Sequence, residues 1–181
     1  MPYWWNTPRT RTGRAPEIRD ATVFGRLDEE IDAVDAHNIG WHIVPGITSA
    51  SAAVAAIGQS LTKRNRNASV RFLTGHDMKG FADHDWAALA RPGEVAAIYM
   101  GKKSVRFIQG RLIMHGADRA TPVTVIENAS RPEQRILETT LDRLPADLTE
   151  AEMNGPALTF YGLALRAAAL ASTEILQEEM A

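Results

Sequence analysis

The segment Pro45-Gly46-Ile47-Thr48-Ser49-Ala50 joins two stretches of opposite character. Ile43-Val44 before it is β-branched; Ser49–Gly58 after it is rich in alanine and serine. Proline cannot extend a strand ladder, and glycine turns where a side chain would clash. Thr48 or Ser49 can then cap the following helix, whose first amide groups face whatever lies beyond the strand end. Such a corner binds polar groups, and it is equally an ordinary strand-to-helix turn. Other residues carry chemistry of the same two-sided kind. Arg26 and Glu29 stand at i and i+3, spaced either as a guanidinium grip or as a helix-end ion pair. Arg64 sits in the basic run Lys63-Arg64-Asn65-Arg66, which taken alone reads as a solvated loop. Met100, before Gly101, carries a polarizable, adaptable thioether, or ends a strand in the core. His76 in Thr74-Gly75-His76 reads as a structural hydrogen-bonding group. The 5 histidines lack metal-ligand spacing. Walker A, Gly-x-Ser-x-Gly and dinucleotide fingerprints are absent from the sequence.

The elements that must position these residues follow from periodicity. Leu27, Ile31 and Val34 recur at helical spacing behind the acidic first turn Asp28-Glu29-Glu30, and Asn38-Ile39-Gly40 predicts a left-handed stop. Trp41–Val44 reads as a short strand and 49–58 as a helix. Strands are predicted at 69–74, 94–100, 122–127, 135–140 and 157–161. Helices are predicted at 84–91, 103–115, 141–152 (interrupted near Pro145) and 163–178. Alternating strands and helices indicate an α/β architecture, and the closely linked C-terminal strands favour a mixed sheet. The chain of 181 residues, 45% hydrophobic, has material for a real core. A net charge of −2 provides no overall basic field for nucleic acid. With no cysteine, disulfides and thiol chemistry are ruled out, in keeping with a reducing compartment. No apolar run reaches membrane-spanning length. Residues 1–17, rich in Pro and Arg, read as an irregular arm.

The ordered set Phe24-Gly25-Arg26, Pro45–Ser49, Leu61–Arg64, Thr74–His76, Tyr99–Gly101, Glu127–Ser130, Gln134-Arg135 and Pro156–Leu158 resembles the uroporphyrinogen III C-methyltransferases, within the tetrapyrrole methylase family. The resemblance covers roughly residues 20–168. It implies an α/β chain that is mainly the family's second lobe, with a mixed sheet flanked by helices. On this reading 18–40 is a remnant of the first lobe with a linker helix, and 41–181 is the C-terminal lobe. The family's Gly-rich loop and its proton-handling acid and lysine have no counterpart here, so an N-terminally truncated chain is expected and no catalytic residue is assigned. The implied reaction is S-adenosylmethionine-dependent C-methylation of uroporphyrinogen III to precorrin-2. The other reading is a non-catalytic tetrapyrrole-binding or dimerisation remnant. By resemblance, Asp20, Val23, Thr48, Ser49, Met100, Ala129 and Ala157 contact the methyl donor. Arg26, Glu29, Arg64 and Met100 contact the tetrapyrrole. No metal, nucleic acid or membrane partner is implied; a cytoplasmic homodimer is.

Overall fold

The computed structural model describes residues 20–78 and 80–165. The chain divides at Thr48/Ser49 into two compact units. In the first, α1 (Leu27–Asp35) carries Asp28, Glu29 and Glu30 in its opening turn and none of its residues is buried. Asn38 ends it at φ 52°, with the Ile39 amide reaching back to the Val34 carbonyl at 3.0 Å. This is the left-handed stop that the sequence predicts, because asparagine tolerates that conformation better than other side chains.

The predicted strand at Trp41–Val44 does not form. Residues 39–48 have no regular structure, and Val44 and Ile47 are 69% and 72% exposed. β-branched residues favour extension, but a strand exists only where its amides and carbonyls find a partner, and the described residues supply none here.

The second unit is built on a mixed five-stranded sheet of order β1-β4-β7-β5-β6. Its strands are β1 (Arg71–Thr74), β4 (Ala96–Tyr99), β5 (Pro122–Glu127), β6 (Arg135–Thr140) and β7 (Ala157–Tyr161). A small hairpin, β2 (His76–Asp77) with β3 (Gly80–Phe81), follows β1. The hairpin was not predicted, since its strands are too short to show alternation. β1 runs parallel to β4. β7 pairs antiparallel with β4 on one side and β5 on the other, and β6 closes the edge antiparallel to β5.

Alternation along the strands divides the core between the two sheet faces. Ala96, Ile98, Val123, Val125 and Tyr161 pack with α3 (Trp86–Leu89), α4 (Val105–Met114) and α5 (Leu144–Glu150). Ala97, Ile126, Leu158 and Phe160 pack with α2 (Ser49–Ala56) through Ala50, Ala53 and Val54. Small residues on α2 let it lie close to the sheet. Fully burying Phe160 contributes about 1.5–3 kcal/mol.

Helix ends follow local chemistry. Gly58 at φ 63° terminates α2, with Gln59 N–H donating to Val54 O at 2.8 Å. Gly116 at φ 87° ends α4 by the same device. Asp85 caps α3 by accepting from the Ala88 amide at 3.0 Å. The expected break at Pro145 is instead a helix start. Proline lies in the first turn of α5, where its missing amide costs nothing. A 3-10 turn, Lys102–Ser104, precedes α4. Of the predicted helix 163–178, Leu163–Leu165 are irregular and the rest lies outside the described residues, as does the 1–17 arm. No helix among the described residues is long and apolar enough to cross a membrane.

Asp147 ties α5 to β6. Its carboxylate accepts from the Thr139 hydroxyl at 2.5 Å and from Arg143 at 2.7 Å. The Thr139 hydroxyl first, then the Arg143 guanidinium, holds this carboxyl below the usual carboxylate range. A group whose folded pKa is depressed contributes stability above its unfolded value of about 3.9 and loses it as pH falls through the folded value. Asp147→Asn is therefore expected to lower the melting temperature by a few degrees at pH 7. The gap to wild type should close as pH drops below about 4. Thermal melts at pH 7 and pH 3 check this; an equal gap at both pH values would refute it.

Candidate functional site

The antiparallel insertion of β7 determines what meets at one edge of the sheet. β1, β4 and β5 end there, while β6 and β7 begin there. Thr74-Gly75, Tyr99-Met100-Gly101, Glu127-Asn128-Ala129 and Pro156-Ala157 are thus collected along one rim. α2 starts at the same rim, because the Ala50 amide donates to the Tyr99 hydroxyl at 3.2 Å. Carboxyl ends of strands facing a helix start are where open α/β sheets hold ligands.

Backbone conformation at this rim is unusual. Met100 has φ 54° and is 53% exposed, and Asn128 and Ser130 have φ 51° and 63°. Left-handed non-glycine residues store strain and persist only where surroundings hold them. Those surroundings are visible. The Gly75 amide donates to Tyr99 O at 2.7 Å, and the buried Ser104 hydroxyl donates to Gly75 O at 2.6 Å. His84 Nε2 donates to Thr74 O at 2.8 Å. The Asn128 amide donates to Pro156 O at 2.9 Å, and the Ser130 amide to Gln134 Oε1 at 2.8 Å. His76 directs Nδ1 at Gly80 O, 3.1 Å away, within the β2–β3 hairpin, a hydrogen bond of the structural kind.

Three charged side chains gather on the turn that leads into β7. Lys102 Nζ donates to Met153 O at 2.9 Å and also to Gly155 O. Glu127, 3% exposed, accepts from the Gly155 amide and lies 3.5 Å from Arg135. Arg135 donates to Ala151 O at 2.6 Å.

Of the residues singled out in the sequence, the structure brings Ser49, Met100, Ala129 and Ala157 to this rim. Ala129 and Ala157 are half-buried, on opposite faces of the sheet. Arg64 is not there. It is exposed in the loop that enters β1, at the opposite end of the sheet, where Arg66 O packs close to Gly93 just before β4. Thr62–Ala68 line an open concavity of about 610 Å³ at that end. Arg66 is committed to the loop itself, donating to Ser60 O and Leu61 O at 2.8 and 3.0 Å. Local sequence could not reveal this, since the end of the sheet to which a loop belongs depends on strand direction.

In the first unit, Asp20, Val23, Arg26 and Glu29 lie in and beside one tight turn. Asp20 accepts from the Thr22 hydroxyl at 2.7 Å and the Thr22 amide at 3.0 Å, and both bonds hold its carboxyl below the usual range. Phe24 and Arg26 are left-handed at φ 53° and 60°, and Gly25 between them packs on the Ala21 backbone. Arg26 forms a two-pronged ion pair with Glu29, with one bond at 2.8 Å, lowering the Glu29 carboxyl and raising the guanidinium. Both side chains are largely exposed. Thr48 is the last residue of this unit. Among the described residues, no group of three or more His, Cys, Asp or Glu side chains could hold a metal ion.

The family pattern of the tetrapyrrole (corrin/porphyrin) methylases matches residues 20–145. The chain belongs to this family. It is 42% identical over 147 residues to the siroheme synthase of Azotobacter vinelandii, a match covering 81% of this chain and 32% of that protein. To the siroheme synthase of Pseudomonas aeruginosa it is 40% identical over 143 residues, 79% of this chain and 31% of the relative. The chain therefore spans about a third of the length of these relatives. A solved structure of uroporphyrin-III C-methyltransferase from Thermus thermophilus, complexed with S-adenyl homocysteine, superposes with TM-score 0.66 at 28% identity, over 80% of this chain and 62% of that one. Cobalt precorrin-4 methyltransferase shares the fold, with TM-score 0.73 at 23% identity, over 82% and 62% of the two chains.

Sequence reasoning missed Lys102, Ser104 and the Tyr99 hydroxyl, and assigned no role to Glu127 or Arg135. One signal was available: a carboxylate closing the strand Pro122–Glu127, whose other residues are mostly apolar, is out of place unless something pairs with it.

Gly75 tests the rim's construction. A Cβ there would stand 2.7 Å from Gly101 Cα and 2.9 Å from Met100 O. Gly75→Ala must push the Met100 loop away, and a loss of about 1–3 kcal/mol is expected, as for overpacked cores. Urea unfolding measures it; a variant as stable as wild type would refute the close approach.

Proposed function

We propose that the rim formed by Ser49, Met100, Ala129 and Ala157 is part of a site for S-adenosylmethionine, and that the protein serves C-methylation of uroporphyrinogen III to precorrin-2. The convergence of these residues at the carboxyl end of the sheet carries the reading. The similarity to siroheme synthases and to a methyltransferase structure holding S-adenyl homocysteine supports it.

The residues present suit such a donor. Ala129 and Ala157, half-buried at strand ends on opposite faces, each leave room beside them for a flat base without desolvating any charge. The exposed thioether of Met100 offers a polarizable surface to a purine or a macrocycle. The first turn of α2 presents amides to polar groups of the donor. When bound, the donor supplies an electrophilic methyl group. A pyrrole carbon is itself an electron-rich nucleophile, so the protein's contribution is to align the two at about 3–3.5 Å and to exclude water. For Arg26 and Glu29 a tetrapyrrole-contacting role rests on the family resemblance. The guanidinium suits the tetrapyrrole's carboxylates, at the cost of loosening the ion pair with Glu29. For Arg64 the same role rests on the family resemblance alone.

Calorimetric titration of the full chain with S-adenosylhomocysteine, then with uroporphyrin III, tests this. Saturable binding of the first is expected. Met100→Ala should weaken it about tenfold, equivalent to about 1.4 kcal/mol, with an unchanged melting temperature. No binding of S-adenosylhomocysteine at millimolar concentration would overturn the reading. Uroporphyrin binding alone would point instead to a non-catalytic tetrapyrrole-binding protein.

A further inference from the structure

The turn 151–156 is held by side chains from three separate strand ends. Lys102, just beyond β4, donates to the carbonyls of Met153 and Gly155. Glu127, the last residue of β5, accepts from the Gly155 amide. Arg135, the first residue of β6, donates to Ala151 O at 2.6 Å and reaches Glu152 O and the Glu127 carboxylate at 3.5 Å. Glu152 is itself left-handed at φ 48°, and Gly155 packs so closely on the Asn128 amide group that a Cβ there would stand 2.7 Å from Asn128 Oδ1. The turn ends at Pro156, whose carbonyl accepts from the Asn128 amide at 2.9 Å. It therefore delivers the Pro156-Ala157 strand end beside Asn128 at the rim.

The energetic arrangement argues that this hold has a purpose beyond closing a connection. A turn between a helix and a strand needs no charged side chains, and burying the Glu127 carboxylate is costly unless its partners stay in place. Lys102 surrenders rotamer freedom and some of its hydration to bind two carbonyls. Charge-assisted bonds to backbone atoms hold position more firmly than apolar contacts, which tolerate sliding. Their common target is the one segment that carries Ala157 to the rim.

We propose that Lys102 and Glu127 are positioning residues for the methyl-donor site: by clamping turn 151–156 they hold the Pro156-Ala157 strand end in place at the rim. The inference rests on the proposed function for the ligand, but the clamp itself can be read separately. Neither side chain is required to touch the ligand. Lys102→Met removes the two carbonyl contacts and keeps the length of the stem. Lys102→Arg restores donors at the same place. Glu127→Gln keeps the shape and an acceptor for Gly155 while weakening the attraction to Arg135.

Titration of the full-length variants with S-adenosylhomocysteine, combined with hydrogen exchange over 151–157, tests the proposal. Lys102→Met is expected to weaken binding at least tenfold and to speed exchange in this segment, with the rest of the sheet unchanged. Lys102→Arg should return both to within about threefold of wild type, a rescue that loss of general stability would not produce. Glu127→Gln should lie between. If the wild type binds and Lys102→Met binds equally well, the proposal is overturned whether or not exchange speeds up. Lack of rescue by arginine overturns it too. A wild-type chain that fails to bind rejects the methyl-donor reading first and leaves the turn, fast or slow in exchange, as a structural connection only.

Discussion

β7 is hydrogen-bonded on both sides, to β4 and to β5, and runs against both. This one pairing decides the geometry of the second unit. Because its neighbours run parallel to each other, their carboxyl ends lie at a single edge, and the amino end of β7 is delivered to that edge as well. Inserting a strand there requires a connection that returns from α5 to the rim, and that connection is the turn 151–156. The burial of Phe160 and Leu158 on one face and Tyr161 on the other stabilises β7 against register slips, since a one-residue shift would exchange its two faces. Gly162, at φ 75°, then turns the chain away at the far end while packing against the Glu94 carbonyl.

The rim is rigid in its surroundings and strained in its own backbone. Left-handed Met100, Asn128 and Ser130 are each bracketed by specific contacts: the glycine pair Gly75 and Gly101, the Asn128–Pro156 bond and the Ser130–Gln134 bond. The adjoining aromatic group has the same character. Phe81 stacks on Phe107 with centroids 4.9 Å apart, and Trp86 meets Phe107 edge-on while bonding Asp83 at 2.7 Å. These contacts anchor the β2–β3 hairpin and α3 to α4, so the segment following β1 is held by packing in addition to its short ladder. A site built on supported strand ends keeps its spacing better than one built on free loops.

Much of the fold could be read locally. The strands at 122–127 and 157–161, the stops at Asn38, Gly58 and Gly116, and the acidic opening of α1 are all properties of neighbouring residues, and the structure has each of them. The strand predicted at Trp41–Val44 fails for the opposite reason: its residues favour extension, but pairing is a long-range event that composition does not report. Proline interrupts a helix interior, so the sequence predicts a break at Pro145, and only the observed start at Leu144 places it in the tolerant first turn. The candidate site was legible as a set of residues through the spacing of its motifs, and less so as an arrangement. Met100, Ala129 and Ala157 meet at one rim, whereas Arg64 lies at the far end of the same sheet. Tyr99, Lys102 and Glu127, which organise the rim, look in sequence like an aromatic strand residue, a surface lysine and a strand-terminal acid.

By itself the sequence determined membership of the tetrapyrrole methylases, the mixed α/β class and the positions of most helices and strands, because these depend on side-chain type and short-range spacing. Tertiary structure alone decided which strand ends share an edge, which charged side chains are spent on backbone, and which remain free to meet a ligand. The physical reason is that strand direction and partner choice are settled by hydrogen bonds between residues far apart in the chain. A lysine or glutamate acquires its role only when that pairing brings an unpaired carbonyl or amide within reach.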